Sequence, residues 1–412
     1  MLQAFFLNIL LMFRSNMRAF LACCVLTVSL TAYSQKSERT FYDSGQKTKK
    51  EIFATKKISD KTVKDGLYQI YYENGKLWQE GNYKEGKMEG AWKIYHDNGQ
   101  LKQTVTYQKN LREGSSKIYY DDGVLYQDLT YKNDHLTGKI HIYHPSAEQH
   151  LMEVSSYLND TLEGESITYS DSGKVLSKKT FAKGLPEGLF EGYYDNGRLN
   201  EKAVYKNGVY NGEFFSYYND SVNGPQKKCT YVNGKLKGPY TGYYPDGSVM
   251  MTGTYSNDSL QGEYIYFYPS KDPRTTGLVL ETGMYHNNSR TGIWTSYYPD
   301  GTIYTTGNFK NGKFNGDWKI NFKTGKLKQS GPYMNGEEDG EWKFYHENGK
   351  TYMEGKYILG KRDGIWKVYY NTGTILANYS WKNGKMDGKQ TAYDKTGKLV
   401  EEKTFVDGLQ IK

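Results

Sequence analysis

The chain has little of two residue types that constrain how a polypeptide folds. It has three cysteines and nine prolines in 412 residues. Cys23 and Cys24 lie in an apolar N-terminal run, so Cys229 is the one cysteine in the rest of the chain. A single cysteine cannot form an intrachain disulfide, which excludes a disulfide-bonded scaffold. The chain is also poor in the leucine-rich segments that a helical domain would require.

A strong excess of one charge is missing as well. The chain has 54 lysines and arginines against 46 aspartates and glutamates, a formal net charge of +8. The first 34 residues contribute Arg14 and Arg18 and no acid, so the remainder carries +6. So small a charge on a long chain allows weak attraction to anionic surfaces but is not a nucleic-acid footprint. We therefore expect no nucleic-acid partner.

Glycine and tyrosine are abundant, and their spacing forms a repeat. The chain has 45 glycines and 41 tyrosines. Ten of the thirteen intervals between the anchor glycines are 24 residues, and the others are 26, 26 and 30. A period in this range predicts a stacked array with one extended surface, which favours a binding or scaffold protein over an enzyme. The anchors, usually followed two positions later by an aromatic or aliphatic residue, are Gly66, Gly90, Gly114, Gly138, Gly164, Gly188, Gly212, Gly238, Gly262, Gly292, Gly316, Gly340, Gly364 and Gly388.

Each repeat is expected to fold as one β-hairpin. After Gly340 the sequence EWKFYH alternates between two faces with the two-residue period of a strand. Asn348-Gly349 follows, as Asn74-Gly75 does in the first repeat, and predicts a type I′ turn, in which both central residues need φ > 0. The second strand carries an aromatic residue in all fourteen repeats. The sequence therefore predicts an all-β fold: an elongated, single-layer antiparallel β-sheet solenoid of about 14 tandem β-hairpins.

Three repeats have longer intervals and no glycine at the hairpin turn. Their extra residues are expected in that turn, as loops at residues 145–150, 220–226 and 270–276 that project from one edge of the sheet. The loops are either tolerated insertions, because lengthening a surface loop costs little, or carriers of binding specificity.

The N-terminal residues predict export. Met17-Arg18 precedes an apolar run at residues 19–30 and a small-residue cleavage site, so residues 1–34 are expected to be a signal peptide, with Met17 as the translation start. The alternative is an uncleaved anchor or membrane hairpin. Residues 35–60 are expected to be a degraded capping repeat and residues 61–412 the array. We expect a periplasmic, cell-surface or secreted protein.

The sequence contains no arrangement typical of catalysis. Of the seven histidines, His141, His144 and His150 are close in sequence, but a strand would point His141 and His144 to opposite faces. Moreover, His96, His144 and His346 stand where other repeats have tyrosine, so we assign them to an aromatic row. We expect no enzymatic activity, no metal and no cofactor.

The surface itself is the remaining candidate site. A tyrosine stands five positions after the anchor in twelve of fourteen repeats, on the face opposite the tryptophans and flanked by lysines. Either this row is a cross-strand ladder that holds the sheet, or it also binds a partner, because tyrosine offers apolar area and a polar tip. The candidate interaction residues are Tyr193, Tyr217, Tyr243, Tyr297, Tyr345 and Tyr369.

Two segments, YKEGKMEGAWKIYHDNG at residues 83–99 and YSWKNGKMDG at residues 379–388, resemble the MORN repeat in its bacterial variant form. The resemblance covers about residues 61–412 and implies a single-layered array of β-hairpins. It also implies antitoxin-like relatives in bacteria, and membrane-lipid contact or scaffolding in eukaryotic arrays. The export signal departs from a cytoplasmic antitoxin.

These observations lead to one expected function and two alternatives. We expect an exported, non-enzymatic protein-interaction scaffold of the bacterial cell envelope, with an unknown protein partner. The first alternative is a module that binds cell-wall glycan or anionic lipid headgroups. The second is an antitoxin-like protein that neutralises a partner.

Overall fold

A computed structural model describes residues 36–146, 148–220, 224–269 and 277–411. The predicted signal peptide and the predicted loop at residues 270–276 lie outside the described residues. The described part consists of strands and turns, and its 35 strands belong to one open antiparallel sheet. This confirms the predicted all-β fold of tandem hairpins. None of the described residues forms a helix long and apolar enough to span a membrane.

The chain divides into two compact units. The first holds the described residues up to Gly114 together with Asp121–Gly123. Its strands are β1 (Lys36–Phe41), β2 (Lys49–Ile58), β3 (Lys61–Tyr71), β4 (Leu77–Lys84), β5 (Lys87–Tyr95) and β6 (Leu101–Gln108). The division between the units falls within β7 (Leu111–Tyr119).

The second unit holds Ser115–Tyr120 and the described residues from Val124 onward. Its strands are β8 (Leu125–Lys132), β9 (His135–Leu136), β10 (Gly138–Tyr143), β11 (Leu151–Leu158), β12 (Thr161–Tyr169), β13 (Val175–Ala182), β14 (Leu185–Tyr193), β15 (Leu199–Lys206), β16 (Val209–Tyr217), β17 (Pro225–Val232), β18 (Lys235–Leu236), β19 (Gly238–Tyr243), β20 (Val249–Ser256), β21 (Ser259–Phe267), β22 (Val279–His286), β23 (Ser289–Tyr297), β24 (Ile303–Lys310), β25 (Lys313–Asn321), β26 (Leu327–Met334), β27 (Glu337–Glu338), β28 (Gly340–Tyr345), β29 (Thr351–Ile358), β30 (Lys361–Tyr369), β31 (Ile375–Lys382), β32 (Lys385–Met386), β33 (Gly388–Tyr393), β34 (Leu399–Val406) and β35 (Leu409–Gln410).

The anchor glycine recurs because the backbone there adopts a left-handed conformation. All fourteen anchors have positive φ, from 65° at Gly292 to 137° at Gly212. A residue with a Cβ rarely adopts this conformation, so each repeat keeps a glycine at this point.

The predicted type I′ turn lies elsewhere in the repeat. At Asn74-Gly75 only the glycine has positive φ, and its amide donates to the Tyr72 carbonyl at 2.9 Å. This is a three-residue loop, a type I turn followed by a left-handed glycine, so the type I′ assignment was wrong there. The type I′ turns are the two-residue loops after the second strand, as at Glu85-Gly86, where φ is 51° and 79°.

The extra residues of the three longer repeats lie in the predicted turn. In the regular Gly90 repeat, Tyr95 pairs with Leu101, six residues later. The corresponding pairs are eight residues apart from Tyr143 and from Tyr217, and twelve apart from Phe267. The excess of two, two and six matches the excess of the long intervals over 24 residues. The pairs on either side of each turn thus confirm that the extra residues stand between the two strands of the hairpin, although residues 221–223 and 270–276 themselves lie outside the described part of the chain.

One face of the sheet, the tryptophan face, carries the core. It contains the tryptophans two positions after an anchor and the aromatic row of the second strands. Trp366 is fully buried, and its ring packs edge to face with Tyr357 at a centroid distance of 4.8 Å. Its indole N–H donates to the Lys356 carbonyl at 3.1 Å. Aromatic pairs of this kind favour edge-to-face contact, so neighbouring repeats are held by ring packing.

Each core tryptophan lies over a glycine of the neighbouring strand. At Gly307, an added Cβ would lie 2.1 Å from Cδ2 of Trp318, closer than any packing allows. Where the residue two positions after the anchor is Phe214, its opposite residue is Ala203 instead. This coupling was not predicted from the sequence, although a glycine stands eleven residues before every core tryptophan. The pairs are Gly81–Trp92, Gly283–Trp294, Gly307–Trp318, Gly331–Trp342 and Gly355–Trp366.

Candidate interaction surface

The opposite face carries the predicted tyrosine row and is called the tyrosine face. It is defined by the residues one, three and five positions after each anchor, with the second-strand residues between them. In the Gly364 repeat these are Ile365, Lys367 and Tyr369, on the side opposite Trp366.

All six candidate tyrosines occupy equivalent positions in the second unit. Each is the last residue of a first strand, is half-buried, and lies where the pairing register shifts. The extra residue of this β-bulge is in the paired second strand, as Asn200 is between Leu199 and Glu201, so each tyrosine pairs with the residue before a bulge. The residues are Tyr193 (β14), Tyr217 (β16), Tyr243 (β19), Tyr297 (β23), Tyr345 (β28) and Tyr369 (β30).

Two of these tyrosines face the same carboxylate. The Tyr193 hydroxyl donates to Glu191 at 2.8 Å, and the Lys202 ammonium lies 3.6 Å from the other oxygen of that carboxylate. Burial, with this hydrogen bond and the charge of Glu191, raises the pKa of Tyr193 to about 12. Burial and the same charge raise the pKa of Tyr217. Both phenols therefore stay neutral at physiological pH.

Glu354 is the equivalent carboxylate near the C-terminal repeats. It accepts a hydrogen bond from the Tyr369 hydroxyl at 2.7 Å and lies 3.6 Å from the Lys343 ammonium. Burial, followed by this hydrogen bond, raises the pKa of Tyr369 to about 12. Around these two carboxylates the tyrosine face therefore combines neutral phenols with paired charges, whereas the other face is packed with rings.

A second tyrosine row joins the repeats along the turn edge, the edge that carries the three-residue turns. The Tyr370 hydroxyl donates to the Tyr393 carbonyl at 2.9 Å. Ring nitrogens of His144 and His346 lie 3.3 and 3.1 Å from the equivalent carbonyls, which confirms their assignment to an aromatic row. The same bond is made by Tyr42, Tyr72, Tyr120, Tyr194, Tyr218, Tyr244, Tyr268 and Tyr298.

The side chains of the Asn-Gly turns also form hydrogen bonds with the turn of the next repeat. Asn348 accepts from the Lys350 amide at 3.0 Å and donates to the Asn371 carbonyl of the next repeat at 2.9 Å. The Lys350 ammonium donates to the Thr372 carbonyl at 2.6 Å. Asparagine is therefore kept here for hydrogen bonding rather than for positive φ. The polar side chains of the regular turns already form hydrogen bonds within the chain. The tyrosine face is therefore a better site for a partner than these turns.

Exposed aromatic rings extend the tyrosine face toward the turn edge. Tyr304 and Tyr352 are exposed, and their rings pack beside Tyr298 and His346 at centroid distances of 4.9 and 5.1 Å. Trp78 is the exposed equivalent in the first unit. Sequence analysis missed this position because only four repeats have an aromatic residue there.

Two shallow grooves open on the tyrosine face beside exposed isoleucines. A groove of about 420 Å³ lies at Ile293 and is bordered by Thr306, Asn308, Asp317 and Lys319. Another of about 470 Å³ lies at Ile365 and is bordered by Ser380. The isoleucines are 69% and 61% exposed, so each offers an apolar contact beside a small polar floor.

The tryptophan face has a hollow of its own, of about 480 Å³. It opens at Ser296 and Thr305, small residues whose hydroxyls hydrogen-bond to each other at 2.6 Å. Beside them, Arg290 is paired with Glu281 at 2.7 Å and stacks over Trp294 at 4.0 Å. The hollow thus combines apolar rings with a neutralised ion pair and hydroxyls.

The histidines His144 and His150 of the fourth repeat contact different backbone carbonyls. His144 lies near the Tyr169 carbonyl, and His150 lies 2.5 Å from the Asp171 carbonyl. Among the residues that the structure describes, no three His, Cys, Asp or Glu side chains are grouped as metal ligands.

The model of the MORN repeat variant family matches eleven segments of the chain. The three repeats that it does not match, at Gly138, Gly212 and Gly262, are those with long turn loops. The matched residues are 64–85, 88–109, 112–133, 162–183, 186–207, 236–257, 290–311, 314–335, 338–358, 362–383 and 386–407.

Similarity to known proteins is otherwise slight. No curated protein matches the sequence. Solved structures described as TcdB2-TccC3-Cdc42 and TcdB2-TccC3-TEV align with 89% and 87% of the chain, at 9% and 11% identity and TM-scores of 0.14 and 0.15. The alignments span 26% and 23% of those chains, about a quarter of their length. Likeness at this level supports no inference about fold or function.

Proposed function

The chain belongs to the MORN repeat variant family, and on that premise we propose that it is a non-enzymatic scaffold that binds a partner protein through its tyrosine face. The observation that carries the proposal is the difference between the faces. Buried indoles and second-strand rings pack on the tryptophan face, which opens at the hollow beside Ser296, while the tyrosine face presents half-buried phenols, exposed isoleucines and open grooves. Aromatic residues beside apolar anchors are typical of interface cores.

The test is partner capture with paired variants. The full chain, Tyr345→Ser/Tyr369→Ser, and Ile365→Ser would each be used to capture proteins from a bacterial envelope extract. Leu158→Ser/Leu185→Ser is the matched control, because both leucines are exposed beside two-residue turns, away from the candidate tyrosines and from the grooves at Ile293 and Ile365. We expect a defined protein that the wild type and the control retain and the face variants lose. Equal capture by all four proteins, at similar melting temperatures, would reject the tyrosine face as the binding surface.

We propose that the scaffold acts in the cell envelope. The support is the N-terminal sequence, in which Arg18 precedes the apolar run and small residues follow it. Fractionation of cells with N-terminal sequencing tests this. We expect an exported protein that begins near Gln35, whereas an uncleaved protein in the cytosolic fraction would contradict export.

The hollow on the tryptophan face favours one second function, binding of cell-wall glycan. Apolar rings can cover the carbon–hydrogen face of a sugar, and the Glu281–Arg290 pair and the Ser296 hydroxyl can hydrogen-bond its hydroxyl groups. Co-sedimentation with purified peptidoglycan, lost in Glu281→Gln but not in Glu191→Gln on the other face, would support this function. Equal sedimentation of both variants would count against the hollow.

A further inference from the structure

The central row of the tyrosine face has an unbalanced stretch of charge. This row consists of the residues three positions after each anchor and their cross-strand neighbours. In two earlier repeats the lysine of this row has a carboxylate partner: Lys93 lies 4.0 Å from Glu80, and Lys117 lies 2.5 Å from Asp128. A lysine without such a partner leaves a positive charge for a ligand.

Between Thr306 and Asn378 the central row has more lysines than carboxylates. Successive cross-strand neighbours along this stretch are Thr306, Lys319, Ser330, Lys343, Glu354, Lys367 and Asn378. Three lysines share one carboxylate, which is itself paired with Lys343 and with the Tyr369 hydroxyl. Among the described residues, no carboxylate pairs with Lys319, and Lys367 has only Glu354 opposite it. This row therefore carries an excess of two positive charges, and beside it on the same face stand Asp317 and Glu341, the latter opposite Lys356.

The spacing of the three lysines matches an extended peptide. They occupy equivalent positions in consecutive repeats, two strand spacings apart, which is about 10 Å. Side chains of a β-strand alternate between two faces, so every third one would not stay on the sheet. A peptide in the extended polyproline II conformation has three residues per turn and rises about 3.1 Å per residue, so its every third side chain faces the same way and recurs at about 9 Å. A carboxylate at every third position of a peptide that lies across the strands would meet each lysine in turn.

Apolar contacts lie near both ends of this stretch. Ile293 lies one repeat before Lys319, and Lys319 and Asp317 line the groove beside it; Ile365 and its groove lie beside Lys367. The two isoleucines are three repeats apart, about 29 Å, which an extended segment of about nine residues spans.

We propose that the row Lys319–Lys343–Lys367 binds an acidic segment of the partner protein in the extended polyproline II conformation, with Asp or Glu at every third residue and an aliphatic residue toward each end. This inference rests on the proposed function and specifies the partner's chemistry. Charge complementarity selects the acidic segment, and the grooves at Ile293 and Ile365 fix its position along the sheet.

The experiment is peptide selection on the full chain. Phage-displayed random peptides of about 12 residues, enough to span the two grooves, would be selected on the wild type and on Lys319→Gln/Lys367→Gln. Lys93→Gln/Lys117→Gln is the matched control, because these lysines hold the same position but have carboxylate partners. The substituted lysines lie on the surface, and melting temperatures would verify that all three proteins are folded.

We expect the enriched peptides to carry acids three residues apart. Their affinity should fall about three- to tenfold in Lys319→Gln/Lys367→Gln, fall with added salt, and persist in the control. Enriched peptides without an acidic excess, equal affinity for the variant, or no enrichment would each overturn the inference. Lysine-dependent binding of phosphatidylglycerol vesicles without peptide enrichment would overturn it in favour of a lipid surface. Capture of the envelope partner by the tyrosine face, together with failure of the acidic peptides, would leave the proposed function standing and reject this inference alone.

Discussion

The two faces of the sheet hold the repeats together in different ways. On the tryptophan face, Trp342 packs edge to face with Tyr333 and Tyr357 at 5.1 and 6.1 Å, so one ring contacts two repeats. On the tyrosine face, contacts are polar pairs such as Tyr369 with Glu354. Ring packing needs matched shapes, whereas polar pairs at a wet surface contribute little stability. The tyrosine face is therefore freer to vary in sequence from repeat to repeat and to acquire a binding role.

The largest loss of stability is expected from removing a buried ring from the tryptophan face. Trp366→Ala removes a fully buried ring, and we expect the free energy of unfolding to fall by about 3–5 kcal/mol. Urea unfolding followed by tyrosine fluorescence measures this. Tyr369→Ala on the other face is the matched variant, and an equal loss for it would show that the faces do not differ.

The glycine opposite Trp366 should behave as part of the same contact. In Gly355→Ala the new Cβ would lie 2.3 Å from Cδ2 of Trp366, so we expect a loss of about 1–3 kcal/mol. Adding Trp366→Phe should recover part of that loss, because Ala203 and Phe214 form such a pair in this chain. A double-mutant cycle of unfolding free energies measures the coupling, and strict additivity would refute it.

A smaller effect is expected at the turn edge. Tyr370→Phe removes the hydroxyl that donates to the Tyr393 carbonyl, which should cost about 1 kcal/mol. Tyr370→His should cost less, because His346 makes this bond naturally. If the phenylalanine variant unfolds at the same urea concentration as the wild type, the bond contributes nothing measurable.

Alkaline titration separates the causes of two raised pKa values. Burial and the Glu354 hydrogen bond raise the pKa of Tyr369 to about 12, and burial with nearby Tyr285 and Glu281 raises that of Tyr264 to about 12. The folded pKa lies above the ordinary value near 10, so this stabilisation is present below pH 10 and is lost as pH rises toward 12. Glu354→Gln should lower the pKa of Tyr369 and leave Tyr264 unchanged. Titration by tyrosine NMR signals measures both, and an unshifted Tyr369 would contradict the role of Glu354.

The smallest stability effect is expected in the proposed binding row. Lys319→Gln should change the unfolding free energy by less than about 0.5 kcal/mol, because the lysine is exposed and has no carboxylate partner among the described residues. Lys117→Gln, which loses its 2.5 Å partner Asp128, is the comparison. A larger loss for Lys319→Gln than for Lys117→Gln would mean that Lys319 supports the fold.

Sequence periodicity predicted the hairpins, the anchors and the tyrosine row because each depends on local backbone geometry. It misplaced the type I′ turn because Asn-Gly occurs both in the three-residue loop at Asn74 and in the two-residue loop at Asn311, and loop length decides between them. It missed the Gly355–Trp366 coupling and the hydrogen bonds of the Tyr370 row because these join residues whose contact depends on strand register. Register is a property of the paired strands rather than of one segment.

Binding through the tyrosine face is tested most directly by hydroxyl-radical footprinting of the full chain, alone and with the partner captured from the envelope. We predict that oxidation of Tyr345, Tyr352 and Tyr369 falls when the partner binds, while Phe314, exposed on the tryptophan face, keeps its rate. Protection of Phe314 with unchanged oxidation of Tyr352 would contradict the account.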